Sequence, residues 1–125
     1  MRSLLRSKIH LATVTRANVD YVGSITIDKN LIEATGLWVG EKVLVVSATT
    51  GARLETYVIE GEAGSGAIEI NGAAAHLINA GEKVIIMGFE ITEKSVEPKV
   101  ILCDKYNGIA QFLSEEAGEM ASVAE

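Results

Sequence analysis

Two glycine–serine pairs, Gly23-Ser24 and Gly64-Ser65, bring a hydroxyl next to the least hindered of backbone carbonyls. A serine hydroxyl can attack the carbonyl before it and move the acyl group from nitrogen to oxygen, a distortion that glycine eases because it has no Cβ. Removal of the serine α-proton then eliminates the ester, leaving a glycine carboxylate and a dehydroalanine whose hydrolysis gives a pyruvoyl group. Tyr21-Val22-Gly23-Ser24 lies in a strand-like run, where glycine weakens a strand and otherwise marks a β-bulge. Gly64-Ser65 lies in Gly61-Glu62-Ala63-Gly64-Ser65-Gly66, which runs into a strand and not into a helix N-terminus. That stretch reads as a hairpin turn, not a phosphate cradle. Spacing alone does not choose between a bulge and a self-cleaving bond at Ser24.

Other chemistries have little to stand on. His10, His76 and Cys103 give no metal-ligand spacing, so no metal is expected. No Gly-x-Ser-x-Gly elbow anchors a hydrolase triad. A formal net charge of −6 and a pI near 4.9 argue against a phosphate-backbone binder, so nucleic acid is not an expected partner. The longest apolar runs, Val43 to Val46 and Val84 to Met87, are far too short for a membrane span of roughly 20 residues. Arg6 and Lys8 interrupt any signal-peptide core, and a single cysteine fits a reducing compartment, so the cytoplasm is the expected location.

The elements that must position Ser24 are mostly strands. Short β-rich runs at Ile9 to Thr15, Tyr21 to Ile27, Lys42 to Ser47, Arg53 to Ile59, Ala67 to Ile70, Lys83 to Phe89 and Lys99 to Leu102 are separated by turn residues. Asp28 caps a predicted two-turn helix through Leu31, Ile32 and Ala34 that stops at Gly36. Asn71 is a candidate cap for a second, alanine-rich helix over Gly72 to Ile78. A chain of 125 residues with 48% hydrophobic content fits one domain with one core. After Asn107 the pattern fades, and Ser114 to Glu125, with four Glu and no aromatic residue, reads as a mobile tail.

The halves of the chain nearly repeat. Gly40-Glu41-Lys42-Val43 returns as Gly81-Glu82-Lys83-Val84, and Ile25-Thr26-Ile27-Asp28 is matched by Ile68-Glu69-Ile70-Asn71. Two copies are too few for a solenoid, so the repeat predicts a mainly β fold, one closed barrel with approximate two-fold symmetry.

Up to about Asn107 the chain resembles the bacterial aspartate 1-decarboxylases. The resemblance is carried by Lys8-Ile9-His10, Val14-Thr15, Tyr21-Val22-Gly23-Ser24-Ile25-Thr26-Ile27-Asp28, Gly51-Ala52-Arg53, Thr56-Tyr57 and Asn71-Gly72-Ala73-Ala74-Ala75-His76. It implies a double-psi β-barrel and a homotetramer with active sites between subunits. It also implies self-cleavage between Gly23 and Ser24 into residues 1–23 (β chain) and 24–125 (α chain), with or without a maturation protein. Ser24 would become a covalent pyruvoyl cofactor whose carbonyl condenses with the amino group of L-aspartate, as an electron sink for loss of carbon dioxide. The product would be β-alanine, the supply for pantothenate and coenzyme A synthesis.

The same resemblance assigns roles. Tyr57 matches the proton donor, a phenol whose ordinary pKa of roughly 10 keeps it protonated at neutral pH. Arg53 and Lys8 are the candidates for the two substrate carboxylates, Arg53 first because a guanidinium pairs with a carboxylate through two hydrogen bonds. Thr56 matches the donor to the oxyanion of self-cleavage, and also lies in the substrate pocket. Gly72, Ala73 and Ala74 match the substrate-binding segment, Asn71 would hold the pyruvoyl carbonyl, and His10 and Tyr21 would shape the processing site. Val46 departs from the tryptophan of some relatives and alters one pocket wall. Without the resemblance these residues read as surface charges, strand fillers and helix packing. A non-enzymatic barrel that never cuts itself, a DNA-binding β-barrel regulator and a pyridoxal phosphate enzyme are the competing readings; an intact chain, salt-sensitive DNA binding or a cofactor absorbance would mark them.

Overall fold

Nine strands form one sheet in a computed structural model that describes residues 1–120. They are β1 (Arg2–Thr13), β2 (Arg16–Asn18), β3 (Ser24–Asp28), β4 (Lys42–Ser47), β5 (Arg53–Gly61), β6 (Ile68–Asn71), β7 (Lys83–Thr92), β8 (Lys99–Cys103) and β9 (Ile109–Leu113). One α-helix, α1 (Lys29–Thr35), follows β3, and a 3₁₀ helix (Gly72–His76) follows β6. β1 starts well before Ile9 because bulges between Leu5 and Ser7 and between Ile9 and Ala12 break its alternation, the second with Leu11 at φ 59°. β2 and β9 were not anticipated: β2 is three residues long, and four of the five residues of β9 are exposed, so neither carries an amphipathic pattern. Tyr21–Gly23 stands outside β3, as a turn leading into it.

The sheet order is β2-β6-β3-β5-β4-β7-β1-β8-β9. β5 and β6, consecutive in the chain, flank β3, and β7 and β8 flank β1. Two connections that step over an intervening strand are the double-psi arrangement. The first crossing corrects the hairpin expected at 61–66, because β5 and β6 each pair with β3. Its turn is tied to the end of β3: the N–H groups of Gly64 and Gly66 donate to the Asp28 carboxylate at 3.0 and 2.8 Å. The same carboxylate accepts from Asn30 N at 2.8 Å and so caps α1 as expected, with Gly36 left-handed (φ 75°) at the other end.

Strand pairing does not join β2 to β9, so the expected closure is not made by hydrogen bonds: β9 takes the free edge of β8, and β2 pairs only with β6. The sheet still curls round one core, because Ile70 of β6 and Ile101 of β8, near its opposite ends, share an apolar cluster with Ile9, Ile25, Val45 and Ile86. Ile25 and Ile27 of β3 are wholly buried, and each buried isoleucine contributes roughly 1.5–3 kcal/mol relative to exposure. A one-residue slip would expose both, so they set the face on which Ser24 and Thr26 stand.

The near-repeat is a repeated turn. Glu41 Oε1 accepts from Trp38 N at 3.0 Å and Glu82 Oε2 from Asn79 N at 2.7 Å, each three residues back, after glycines at φ 87° (Gly40) and 91° (Gly81). The spare oxygens differ in use: Glu41 pairs with Arg6, and Glu82 accepts from Ser47 Oγ at 2.6 Å. Those hydrogen bonds, the one from Ser47 foremost, hold the Glu82 carboxyl below its ordinary range.

Candidate active site

Ser24 opens β3 directly opposite Asn71, the last residue of β6, and is 1% exposed. Directly paired residues point to the same face of a sheet, and residues two apart on one strand do so as well. Ser24, Thr26 and Asn71 therefore converge: Asn71 Nδ2 donates to Ser24 Oγ at 2.9 Å and to Thr26 Oγ1 at 3.0 Å. The Ser24 hydroxyl has Val22 O as its own acceptor at a loose 3.4 Å. The amide thus holds the oxygen in place, while the proton has one weak acceptor. Asn71 Oδ1 is buried with no hydrogen-bond partner among the described residues.

The 3₁₀ helix packs its first residue on the bond in question. Gly72 has φ 76°, and a Cβ there would lie 2.7 Å from Gly23 Cα, 2.8 Å from Gly23 N and 3.0 Å from Tyr21 O. Only glycine fits, so Gly72 serves the Gly23 backbone first of all. The expected helix to Ile78 is instead a 3₁₀ turn ending at His76, and Asn71 gives it no side-chain cap: its Nδ2 donates to Ser24 and Thr26, and the Oδ1 that a cap would use makes no hydrogen bond among the described residues. Ala73 is exposed at the surface of this turn, and Ala74 packs against the core.

β5 runs parallel to β3 with Ile25 beside Val58, both in the core. One step back in that register, Tyr57 falls beside Ser24 on the opposite, outer face, where it is 40% exposed. Thr56 is half-buried on the core side of β5. Arg53 shares the outer face with Tyr57 but lies four residues away, about 13 Å along the strand, and pairs with Val46, which is buried.

Lys8 and His10 stand on one face of β1, which in sheet order is four places from β3. Lys8 Nζ contacts Glu115 Oε2 at 2.7 Å, so the acidic segment returns over β1; the last part of the expected tail, residues 121–125, lies outside the described residues. Lys8, His10, Leu113, Glu115, Glu116 and Glu119 line a small cavity of about 230 Å³. Burial first, and the Lys8 charge second, push the His10 pKa below 6.5, against a smaller pull upward from Glu115, and His10 Nδ1 is buried with no hydrogen-bond partner among the described residues. Tyr21 is half-exposed, with the Arg16 guanidinium 4.6 Å over its ring and donating to its hydroxyl.

One chain therefore assembles Gly23, Ser24, Asn71 and Gly72, sets Tyr57 alongside, and leaves Lys8, His10 and Arg53 elsewhere on the sheet. Thr26, Arg16 and Glu115 escaped the sequence reading. Thr26 was within reach, since strand period two puts it on the Ser24 face; Glu115 meets Lys8 from 107 residues away with no local signal. Ser65, the rival serine, is exposed in a turn and donates to Glu62 O at 2.6 Å.

Comparison with known proteins identifies a family for the chain. Residues 1–110 match the family model described as aspartate decarboxylase. The chain is 54% identical to an aspartate 1-decarboxylase of Corynebacterium efficiens, covering 95% of this chain and 90% of that one. It is 50% identical to relatives of the same name from Bacillus velezensis (92% and 94% covered) and Carboxydothermus hydrogenoformans (91% and 93%). By its matched residues and by its identity over nearly the whole length of these relatives, the chain belongs to the aspartate decarboxylase family.

Proposed function

We propose that this chain decarboxylates L-aspartate to β-alanine and carbon dioxide after cutting itself between Gly23 and Ser24. The observation that carries the reading is the buried Ser24 hydroxyl, held by the Asn71 amide next to a Gly23 backbone against which Gly72 is packed. In the cut, Ser24 Oγ bonds to the Gly23 carbonyl carbon, the Gly23–Ser24 C–N bond breaks, and the hydroxyl proton ends on the freed amine. Loss of the Ser24 α-proton then drives out the Gly23 carboxylate, breaking Cβ–Oγ. The dehydroalanine left at position 24 tautomerises to an imine, and water replaces its nitrogen, releasing ammonia. Asn71 Nδ2 follows Oγ from nucleophile to leaving carboxylate, where negative charge collects.

The residues present fit a pyruvoyl group at position 24: Asn71 offers an N–H for a carbonyl and an unpartnered buried Oδ1 for an amine hydrogen. Once formed, such a group supplies an electron sink for the electrons released with carbon dioxide. Tyr57, beside Ser24 in register, is the proton donor to the carbon that loses carboxylate. Arg53 and Lys8 hold the substrate carboxylates, with Thr56 and the Gly72-Ala73-Ala74 turn lining the site and His10 and Tyr21 shaping the cut. Because Lys8 and Arg53 lie away from Ser24 within a chain, the complete site forms between copies in a homotetramer. Exposed Trp38 (76%), Val39 (59%) and Ile91 (69%) supply apolar surface for that association. No helix among the described residues is long and apolar enough to cross a membrane; the lone, buried Cys103 suits a reducing cytoplasm.

Intact mass spectrometry of the denatured chain tests the cut. Residues 1–23 and a pyruvoyl-blocked fragment from position 24 are expected, and Ser24→Ala should stay whole and form no β-alanine. Activity in that variant, or a cut at Gly64-Ser65, would end the reading.

A further inference from the structure

Thr26 has so far figured only as a neighbour of Ser24, yet it takes the second amide hydrogen of Asn71. We infer that Thr26 is a positioning residue for self-cleavage: it anchors the Asn71 amide so that the nitrogen stays on Ser24 Oγ. The inference rests on the reading of Ser24 as the cleaving nucleophile.

The torsion that turns an asparagine amide is broad and weakly restrained by itself, and no described residue hydrogen-bonds Asn71 Oδ1 to hold it. Two contacts fix the plane, Ser24 Oγ at 2.9 Å and Thr26 Oγ1 at 3.0 Å. Ser24 Oγ must leave its starting position when it attacks Gly23, so during the reaction Thr26 is the anchor that does not move. Thr26 is itself oriented by packing. A Cβ on Gly61 would lie 3.1 Å from Thr26 Cγ2, so the absent side chain of Gly61 makes the space that the threonine methyl fills, and Oγ1 is left facing Asn71. β3 is hydrogen-bonded on both sides at this point, with Thr26 opposite Ile59 and Glu69, and cannot shift to compensate. The near-repeat places Glu69 at the equivalent point of the second half, so the hydroxyl belongs to the half that carries Ser24.

Thr26→Val keeps the branched shape and removes the anchor, whereas Thr26→Ser keeps the hydroxyl. Freshly made full-length chains of both variants and wild type are held at one temperature and pH, and the uncut fraction is followed by intact mass. The expected result is a cleavage rate about tenfold lower in Thr26→Val, less than the 10²–10³ typical of removing a direct oxyanion donor. Thr26→Ser should cleave within about threefold of wild type, with thermal midpoints unchanged within a few degrees. If Thr26→Val does not fold, Thr26→Ala takes its place with the same expectation. Wild-type speed in the variant without the hydroxyl, or equal slowing in Thr26→Ser, would overturn the inference. A wild-type chain that stays whole even in a cell extract that supplies a maturation protein would instead sink the cleavage reading itself, and this inference with it.

Discussion

Gly72 leaves the Gly23 backbone its space: a Cβ on Gly72 would stand 2.7 Å from Gly23 Cα, closer than such atoms approach in folded proteins. Gly81 has a comparable left-handed backbone, φ 91° against 76°, with nothing within 4 Å of its absent side chain. The pair separates conformational strain from steric contact. Gly81→Ala should cost roughly 1–3 kcal/mol for the left-handed conformation alone. Gly72→Ala should cost more and slow cleavage as well, because the Gly23 carbonyl is pushed off its line to Ser24 Oγ. Equal stability loss and unchanged cleavage in both variants would show that the contact does not control the cut.

Asp28 and Asn71 hold the same place in the near-repeat but have diverged. Asp28, buried, accepts three backbone N–H bonds, from Asn30, Gly64 and Gly66. Asp28→Asn replaces an acceptor oxygen by a donor and leaves at least one of those N–H groups facing an NH₂, a loss of roughly 1–3 kcal/mol. Urea unfolding should show a lower midpoint with an unchanged slope. A midpoint equal to wild type would mean that the turn over β3 does not depend on this carboxylate.

His10 predicts an acid-side loss of stability. Its folded pKa lies below 6.5 through burial and the Lys8 charge, so at pH values between the two the unfolded chain binds a proton that the folded chain refuses. Its contribution is therefore full above 6.5 and is lost as pH falls through the folded value. Glu82, also depressed, adds to the loss further into acid, as pH falls through its own folded value. Thermal midpoints between about pH 7.5 and pH 5 should fall less steeply in His10→Gln than in wild type. Parallel curves would remove His10 from this account.

What the sequence disclosed was local. The Asp28 cap and Gly36 as helix stop are contacts between residues a few positions apart, and both are found as read; the Gly-Glu-Lys-Val repeat was legible, but the turn that each copy makes was not. Asn71 was legible as a cap and as a pyruvoyl ligand; the structure removes the side-chain cap and pairs the residue across the sheet with Ser24. The 61–66 turn looks the same locally whether its strands pair with each other or straddle a third, and the crossing over β3 is a long-range choice. β9 is exposed along most of its length, so no alternation announced it.

Tyr57 stands beside Ser24 in the β3–β5 register with its ring on the outer face. Tyr57→Phe keeps the ring and removes the proton. Intact mass should show cleavage still occurring, while kcat for β-alanine formation falls about 10²-fold or more, the usual worth of a positioned acid. Unchanged turnover would take the phenol out of the reaction.

Glu115 pairs with Lys8. The pair meets at 2.7 Å, with Lys8 17% and Glu115 39% exposed, a setting in which an ion pair is worth roughly 0.5–1 kcal/mol after solvent screening. A substrate carboxylate that uses Lys8 must displace Glu115 first. Glu115→Gln should therefore lower KM for aspartate about two- to fivefold, leave kcat unchanged, and lose its advantage as added salt screens the pair in the parent chain. A change in kcat would assign Glu115 to the chemistry instead. An unchanged KM at low salt would mean either that the segment has already left Lys8 in the assembled enzyme or that Lys8 does not hold substrate, and Lys8→Met separates the two: a raised KM keeps Lys8 in the pocket, and an unaltered one removes it.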